Sequence, residues 1–136
     1  MTWPRIDGLR TMEIAYPGEV RDRLNALILA GQKRATTGLQ SEYADEGEAY
    51  EHVGERLILV DSAGVGVAII EVRYVDLTTF GAVTWAHAAA EGEGDADLDE
   101  WREGHRGFWS TYDGITIDDN TGVVCIGFDV VERTDA

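Results

Sequence analysis

The chain has 136 residues, of which 44% are hydrophobic and 27% charged. This length and composition fit one globular domain, residues 1–136, with a single core. Twenty-six acidic residues against eleven basic ones give a formal charge of −15. Affinity for long nucleic acids comes largely from Lys and Arg that neutralise phosphates, so this balance opposes tight non-specific binding to RNA or DNA. A nucleoside, which lacks the phosphate chain, meets no such penalty.

Localisation follows from the absence of two signals. No apolar run approaches the roughly 20 residues that cross a bilayer, and the N-terminus lacks the apolar stretch of a signal peptide. We therefore expect a cytoplasmic protein without a membrane partner. The single cysteine, Cys125, leaves no internal disulfide and no thiolate zinc site. Its apolar neighbours predict that it is a small buried side chain.

The first predicted element is a helix over residues 17–30. Its apolar residues recur at helical spacing and form one face: Val20, Leu24, Leu27 and Ile28. Pro17 suits the first turn and Gly31 suits the left-handed position that ends a helix. We expect this helix to deliver Lys33 and Thr36 into a loop just beyond its C-terminus, which is a usual place for reacting groups.

The middle of the chain predicts a polar segment, a hairpin and a short helix. Residues 41–52 are rich in Glu and Asp, which is typical of a solvated loop or a broken helix. Apolar runs over residues 56–61 and 65–77 flank the turn Ser62-Ala63-Gly64 and predict an antiparallel hairpin. Residues 79–90 favour a short helix.

A second clear helix follows the acidic, glycine-rich residues 91–95. Asp95 or Asp97 can cap it, and it continues through Tyr112. One of its faces carries mainly aromatic side chains: Leu98, Trp101, His105, Phe108, Trp109 and Tyr112. A last strand covers residues 122–132. Strands at both ends of a helical middle predict an α+β domain around a small mixed sheet or barrel, not a doubly wound sheet.

Lys33 is the only lysine beside ten arginines, so its retention asks for a chemical reason. A lysine can act as a base toward a hydroxyl when burial or a cationic neighbour such as Arg34 favours its neutral form. Thr36 and Thr37 place two hydroxyls three and four residues away. The alternative is that Lys33 caps the helix carbonyls and the threonines satisfy a loop.

The acidic segment is a second candidate. Glu91 and Glu93 are separated by one glycine, so both can approach a ligand or a cation with little steric hindrance. Two carboxylates this close would raise the pKa of one of them. The alternative is a solvated acidic loop. A metal site that adds His105 would not have the spacing of a known metal motif.

The aromatic helix is a third candidate. Trp101 and Arg102 could stack on a nucleobase, although an aromatic stripe at helical spacing is more often part of the core. His105 is interpreted as a hydrogen-bonded core histidine. Gly104 and Gly107 are unusual inside a helix, where each costs up to about 1 kcal/mol relative to Ala. They would permit the close approach of a backbone or a ligand.

Taken in order, these segments resemble the ASCH family of the PUA-like superfamily, over roughly residues 12–131. The motifs that carry the resemblance are Gly31-Gln32-Lys33-Arg34-Ala35-Thr36-Thr37, Glu42-Tyr43, Val53-Gly54-Glu55, Glu91-Gly92-Glu93-Gly94-Asp95, Trp101-Arg102 with His105 and Phe108-Trp109, and Val123-Val124-Cys125. The resemblance implies a small mixed or antiparallel β-barrel with flanking helices and a cleft for RNA-like or nucleoside-like ligands. In one segment many relatives have Cys-Glu-Arg-Phe, whereas this chain has Cys125-Ile126-Gly127-Phe128.

Some members of that family are amidohydrolases that remove the acyl group from N4-acylcytidines. Their catalytic trio falls on Lys33 as base, Thr36 as nucleophile and Glu93 as acid or orienting group. A variant in which water attacks directly stays open. The resemblance implies no cofactor and no metal. Further residues are expected to contact the substrate: Arg34, Thr37, Glu42, Tyr43, Glu91, Trp101, Arg102 and Ser110.

Two other functions stay open for the same cleft. Family members are also described as ribonucleases or RNA-binding modules, and a non-catalytic nucleoside-binding domain is the second alternative. The expected partner is a small nucleoside or a modified base of RNA, with no DNA and no membrane. The expected assembly is a monomer or a small homo-oligomer.

Overall fold

Six strands and four α-helices make up residues 2–133, the part of the chain that the computed structural model describes. In chain order they are β1 (Arg5–Ile6), β2 (Leu9–Met12), α1 (Glu19–Leu29), β3 (Ala35–Leu39), α2 (Gln40–Glu46), β4 (Arg56–Val60), β5 (Gly66–Thr79), α3 (Trp85–Ala90), α4 (Leu98–Asp113) and β6 (Gly122–Arg133). A 3-10 turn, Phe80–Ala82, joins β5 to α3. None of the helices in this range is long and apolar enough to cross a membrane.

The strands form one mixed sheet in the order β1-β2-β4-β5-β6-β3. Strands β2 and β4 run parallel, and every other neighbouring pair is antiparallel. The two longest strands, β5 and β6, pair along most of their length and form the centre of the sheet. The order ends at β1 on one side and β3 on the other, so pairing does not close the sheet into a ring. The predicted α+β class, with a small mixed sheet and flanking helices, is confirmed.

Two apolar clusters pack on opposite faces of this sheet. Helix α1 contributes Leu24 and Ile28 to the first cluster, and α4 contributes Trp101 and Trp109 to the second. Strand β6 serves both because alternate side chains point to opposite faces. Its residues divide accordingly: Val124, Ile126 and Phe128 enter the first cluster, and Val123 and Cys125 enter the second. Cys125 is therefore a small buried side chain, as predicted.

Both long helices follow their sequence signals. Gly31 takes a φ of 81° just after α1, in the left-handed conformation that glycine tolerates. The carboxylate of Asp97 accepts a hydrogen bond of 2.9 Å from the backbone N–H of Glu100 and so caps α4. The choice between Asp95 and Asp97 as the cap is thereby decided.

Three elements differ from the sequence-based prediction. Thr36 lies in strand β3, not in a loop, and this strand pairs with residues about 90 positions later on β6. Residues 41–52 overlap α2, as the alternative of a broken helix allows, but the segment is not fully solvated, because the Tyr43 ring packs into the first cluster. Residues 79–90 divide into the 3-10 turn and the six-residue helix α3.

Candidate active site

Lys33 lies in the short connection between α1 and β3, and only 2% of its surface is exposed. Its Nζ donates hydrogen bonds to Glu93 Oε2 at 2.6 Å and to the backbone carbonyl of Ala35 at 2.8 Å. Glu91 Oε1 is 3.5 Å from the same nitrogen. The end of α1 is instead closed by backbone N–H groups, including that of Lys33. The helix-capping interpretation of the lysine side chain is therefore wrong.

Glu91 is the most buried acid of the site, with 1% of its surface exposed. It accepts a hydrogen bond from Thr37 Oγ1 at 2.6 Å, and the Nε2 atoms of His105 and His87 lie 3.3 and 3.4 Å from it. Burial alone would raise the pKa of this carboxyl. The charge of Lys33 and the hydrogen bond from His105 outweigh burial and hold the pKa well below its ordinary value.

His105 stands on α4 and completes an ionic cluster of Lys33, Glu91, Glu93 and His105. Its Nδ1 is 2.9 Å from the Trp101 carbonyl, an acceptor, so that nitrogen carries a proton. Burial opposes a charge on the ring, but the hydrogen bond to Glu91 and the charge of Glu91 raise the pKa of His105 above its ordinary value. The cluster thus combines two cationic groups with two carboxylates. The alternative interpretation, a solvated acidic loop, is wrong for Glu91, whereas the side chain of Glu93 is 23% exposed.

Gly92 holds the acidic segment against the lysine segment. Its φ is 64°, and a β-carbon at this position would overlap the carbonyl oxygen of Gln32. The Gln32 side chain donates to the Gly92 carbonyl at 2.9 Å, and the backbone N–H of Arg34 donates to the Ala90 carbonyl at 2.8 Å. These backbone contacts bring Glu91 and Glu93 to Lys33, although some 60 residues separate them in the chain.

The two threonines lie on opposite faces of β3, since neighbouring strand residues alternate. Thr37 Oγ1 is bonded to Glu91 and lies 2.8 Å from His87 Nε2. Thr36 lines the cavities described next, and within residues 2–133 its hydroxyl has no hydrogen-bond partner. Of the predicted trio, the structure brings Lys33 and Glu93 into contact and leaves the Thr36 hydroxyl free to meet a ligand.

A cavity of about 560 Å³ lies between α1 and α4 and reaches the ionic cluster. It shares Thr36, Thr37 and Phe108 with a neighbouring cavity of about 650 Å³ that extends toward β2 and α2. Gly104 and Gly107 form part of the α4 wall, and a β-carbon at either would meet no atom within 4 Å. These glycines therefore leave space in the cavity and do not serve the packing of a neighbouring backbone.

Some predicted contact residues line these cavities. Thr37 and Glu91 line the first cavity, and Glu42 and Tyr43 line the second. Burial, and then the nearby charge of Asp113, raise the pKa of Glu42. The Tyr43 hydroxyl donates to Glu51 at 2.7 Å.

Other predicted contact residues lie elsewhere. The Arg34 side chain is 62% exposed and pairs with Asp129 at 2.5 Å. Trp101 is fully buried and stacks between Phe80 and His105, so its ring belongs to the core. Neither cavity is lined by any of these four residues: Arg34, Trp101, Arg102, which donates to the Gly81 carbonyl, and Ser110, which is exposed on α4.

The sequence analysis singles out no role for His87 and interprets His105 as a hydrogen-bonded core histidine. Their separation from Glu91 in sequence, four residues before and fourteen after, gives one clue, because positions i and i+4 share a helix face. The role of His105 depends on how α4 packs against the acidic segment, which no local pattern reports. No group of three or more His, Cys, Asp or Glu side chains within residues 2–133 is arranged to hold a metal ion.

Comparison with known proteins places this geometry in a family. The model of the ASCH domain matches residues 12–132. The chain belongs to the ASCH domain family. This family has a PUA-like fold, in agreement with the open mixed sheet and its flanking helices.

Solved structures of similar proteins agree with this assignment. The ASCH domain from Lactobacillus crispatus JV V101 is 31% identical, with a TM-score of 0.73 over 88% of this chain and 78% of that one. Protein EF3133 from Enterococcus faecalis V583 is 29% identical, with a TM-score of 0.71 over 82% and 68% of the two chains. The hypothetical protein PH0355, at 18% identity and a TM-score of 0.55 over 78% and 89%, shares the fold alone. No curated protein matches this ASCH chain in sequence.

Proposed function

We propose that this ASCH protein is an amidohydrolase that removes the acyl group from N4-acylated cytidine-type nucleosides. The observation that carries the proposal is the buried Lys33, hydrogen-bonded to Glu93 at the wall of a cavity that the free Thr36 hydroxyl also lines. A hydroxyl nucleophile needs a base beside it, and an amide leaving group needs an acid. The site offers candidates for all three groups.

The reaction begins with a proton transfer inside the ionic cluster. Lys33 passes a proton to Glu93 along their 2.6 Å hydrogen bond, and the neutral amine then takes the proton of Thr36. Thr36 Oγ attacks the acyl carbonyl carbon, and the C–N bond breaks as Glu93 returns its proton to the exocyclic nitrogen of cytosine. Water then hydrolyses the Thr36 ester and releases the carboxylic acid. Because β3 is an edge strand, its N–H groups that point away from β6 are available to stabilise the oxyanion.

Size and charge favour a nucleoside over a polynucleotide. The cavity of about 560 Å³ falls within the range of small-molecule sites. The formal charge of −15 repels a long polyanion. This argues against the ribonuclease and RNA-binding alternatives.

The test is hydrolysis of N4-acetylcytidine, followed by chromatography of the released cytidine. We expect turnover by the wild type and a loss of at least about 1,000-fold in kcat for Lys33→Ala and Thr36→Ala, because removal of a nucleophile or its base has effects of this order. Thr116→Ala, a change at an exposed threonine outside both cavities, is the matched control. Wild-type rates in either site variant would refute the proposal.

Parallel measurements separate the alternatives. Cleavage of a structured RNA that weakens with salt, without deacylation, would indicate a ribonuclease. Binding of cytidine without turnover of any acyl derivative would indicate a non-catalytic domain. A mass increase of one acetyl group on Thr36 during turnover would distinguish its nucleophilic attack from direct attack by water.

A further inference from the structure

A continuous chain of hydrogen bonds leads from the protein surface to the ionic cluster. The Tyr74 hydroxyl lies 2.7 Å from His87 Nδ1, His87 Nε2 lies 2.8 Å from Thr37 Oγ1, and Thr37 Oγ1 lies 2.6 Å from Glu91 Oε2. Tyr74 is 38% exposed, whereas His87 is 7% and Glu91 1% exposed. The chain thus joins solvent to a carboxylate beside the catalytic lysine. The proposed reaction uses none of its first three members.

The donors and acceptors of this chain all run in one direction. Thr37 has one hydroxyl proton and donates it to Glu91, so it must accept a hydrogen bond from His87 Nε2. A neutral His87 then has a free lone pair on Nδ1, which accepts the Tyr74 hydroxyl proton. Burial raises the pKa of Tyr74 to about 12, so the phenol keeps this proton at neutral pH. Every bond therefore donates toward Glu91.

Gly127 makes the outer end of the chain possible. It lies on β6 opposite Tyr74, and a β-carbon there would overlap the tyrosine ring. A register shift between Val72 and Tyr74 accompanies this close approach. Gly127 belongs to the Cys-Ile-Gly-Phe segment of this chain. The glycine is thus tied to the placement of the phenol over the sheet.

Within residues 2–133, the charged groups that act on Tyr74, Cys125 and Glu91 lie at the two ends of this hydrogen-bond chain. His87 meets Tyr74 from β5, Thr37 from β3 and Glu91, which directly follows its own helix α3. Cys125 of β6 lies beside Thr37, and burial raises the pKa of its thiol to about 12, so it remains uncharged. At the outer end, the exposed Asp76 acts on Tyr74 and Cys125. At the inner end, Lys33 and His105 act on Glu91.

We propose that Tyr74, His87 and Thr37 form a proton relay that positions the Glu91 carboxylate and exchanges protons between solvent and the ionic cluster. In one transfer, Tyr74 gives its hydroxyl proton to His87 Nδ1, His87 gives its Nε2 proton to Thr37, and Thr37 gives its proton to Glu91. Solvent then restores the proton of Tyr74, so one proton moves from water to Glu91. The reverse transfer, from Glu91 through Thr37 to His87 Nε2 and from His87 Nδ1 through Tyr74 to water, restores the Nε2-protonated tautomer of His87. The three members are positioning residues. Their part in turnover rests on the proposed function, whereas the relay itself does not.

The first experiment observes the relay without a substrate. The whole protein has only three histidines, so nitrogen-15 NMR of the imidazole rings is tractable. We expect His87 to be the Nε2-protonated neutral tautomer, with a slowly exchanging Nε2 proton. The exchange rate of the His87 Nε2 proton with solvent should change at least several-fold in Tyr74→Phe. It should stay unchanged in Tyr50→Phe, the matched control, because Tyr50 has the same 38% exposure. An Nδ1-protonated His87, or equal exchange in both variants, would overturn the relay.

The second experiment measures the relay in turnover. We expect Tyr74→Phe and His87→Gln to keep KM within about threefold and to lower kcat by roughly tenfold, because glutamine can hold Thr37 but cannot pass a proton. Imidazole in the buffer should restore the kcat of His87→Ala, while the Tyr50→Phe variant behaves as wild type. A change in KM without a change in kcat would overturn the relay, as would a folded His87→Ala variant whose kcat imidazole does not restore. If NMR supports the relay but the wild type deacylates nothing, only the proposed function fails.

Discussion

The ionic cluster brings four titratable groups together, and two of them are almost fully buried. Glu91 has 1% of its surface exposed and Lys33 has 2%. Taking charges out of water is costly, and removing one partner leaves the others uncompensated. Because two cationic groups face two carboxylates, the cluster balances its own charge. The hydrogen bond from Lys33 to Glu93 also holds the proton whose transfer begins the proposed reaction.

The pH dependence of stability provides a test at the scale of one residue. His105 has a pKa above its ordinary value of about 6.5 in the folded state. Its contribution to the free energy of unfolding is therefore complete below that value and is lost as pH rises through the folded pKa. We expect His105→Gln to cost about 2 kcal/mol at pH 6, as for a hydrogen bond to a charged group, and clearly less at pH 10.

Urea unfolding at both pH values measures this difference. His52→Gln is the control, because the side chain of His52 is 76% exposed and its pairing with Glu55 is at the surface. That variant should stay near wild type throughout. If His105→Gln lowers the free energy of unfolding by the same amount at both pH values, the charged state assigned to His105 is contradicted.

The sequence identified part of this residue-scale chemistry. Lys33 was conspicuous as the only lysine, and the spacing of Glu91 and Glu93 marked the acidic segment. Trp101 could not be assigned between ligand stacking and core from its spacing, and the structure buries it. The spacing of His87 from Glu91 links only these two residues, and Tyr74 gives no local signal, because the link of both to Thr37 arises only when α3, β3 and β5 meet.

At the scale of elements, α4 is a helix that gives up stability on the side that faces the cavity. Gly104 and Gly107 lie inside it, where glycine is unfavourable relative to alanine. No atom lies within 4 Å of a β-carbon built at either position. The space beside these residues is continuous with the cavity above Lys33. The arrangement fits a helix whose surface is kept bare for a ligand.

Alanine at these two positions tests that interpretation. We expect Gly104→Ala and Gly107→Ala each to stabilise the protein by up to about 1 kcal/mol, because helix propensity improves and no clash arises. The same variants should lower kcat/KM several-fold for N4-benzoylcytidine and less for N4-acetylcytidine. Thermal unfolding and deacylation assays measure the two effects. Glu103→Ala, on the exposed side of α4, is the control, and unchanged kinetics in both glycine variants would contradict the assignment.

Elements were predictable where their signals were local. The spacing of apolar residues predicts helix α1 and helix α4, and two apolar runs around a turn predict the β4–β5 hairpin. The sequence predicts a loop where β3 lies, because this strand is short and its partner β6 is far away in the chain. Strands β1 and β2 are shorter still, and β2 is defined by its parallel pairing with β4. Such pairings are tertiary facts that no short window contains.

For the whole molecule, the excess of acidic residues sets the electrostatic conditions. The formal charge is −15, and many surface arginines are already paired, as in the contacts of Arg73 with Glu71 and Asp129. Unpaired carboxylates therefore repel one another across the surface. This repulsion opposes the compact state and is screened by salt.

Salt should consequently stabilise this protein. We expect the melting temperature to rise by a few degrees between 10 mM and 500 mM NaCl, because the Debye length falls from about 30 Å to a few ångströms. Differential scanning calorimetry at constant pH measures the change. A melting temperature that falls with salt would mean that surface ion pairs such as Arg73–Asp129 outweigh the general repulsion.

The contact between Gly92 and the Gln32 carbonyl has a consequence for genetics. Every amino acid that a single base change can introduce in place of glycine carries a β-carbon, and the space for one is taken by that carbonyl. A missense change at this codon would therefore separate the acidic segment from Lys33 without altering any charged residue. Surveys that score a homologous gene by its lysine, threonine and glutamates would count such an allele as intact. Glycine at position 92 is the better marker of a gene whose product can still assemble the site.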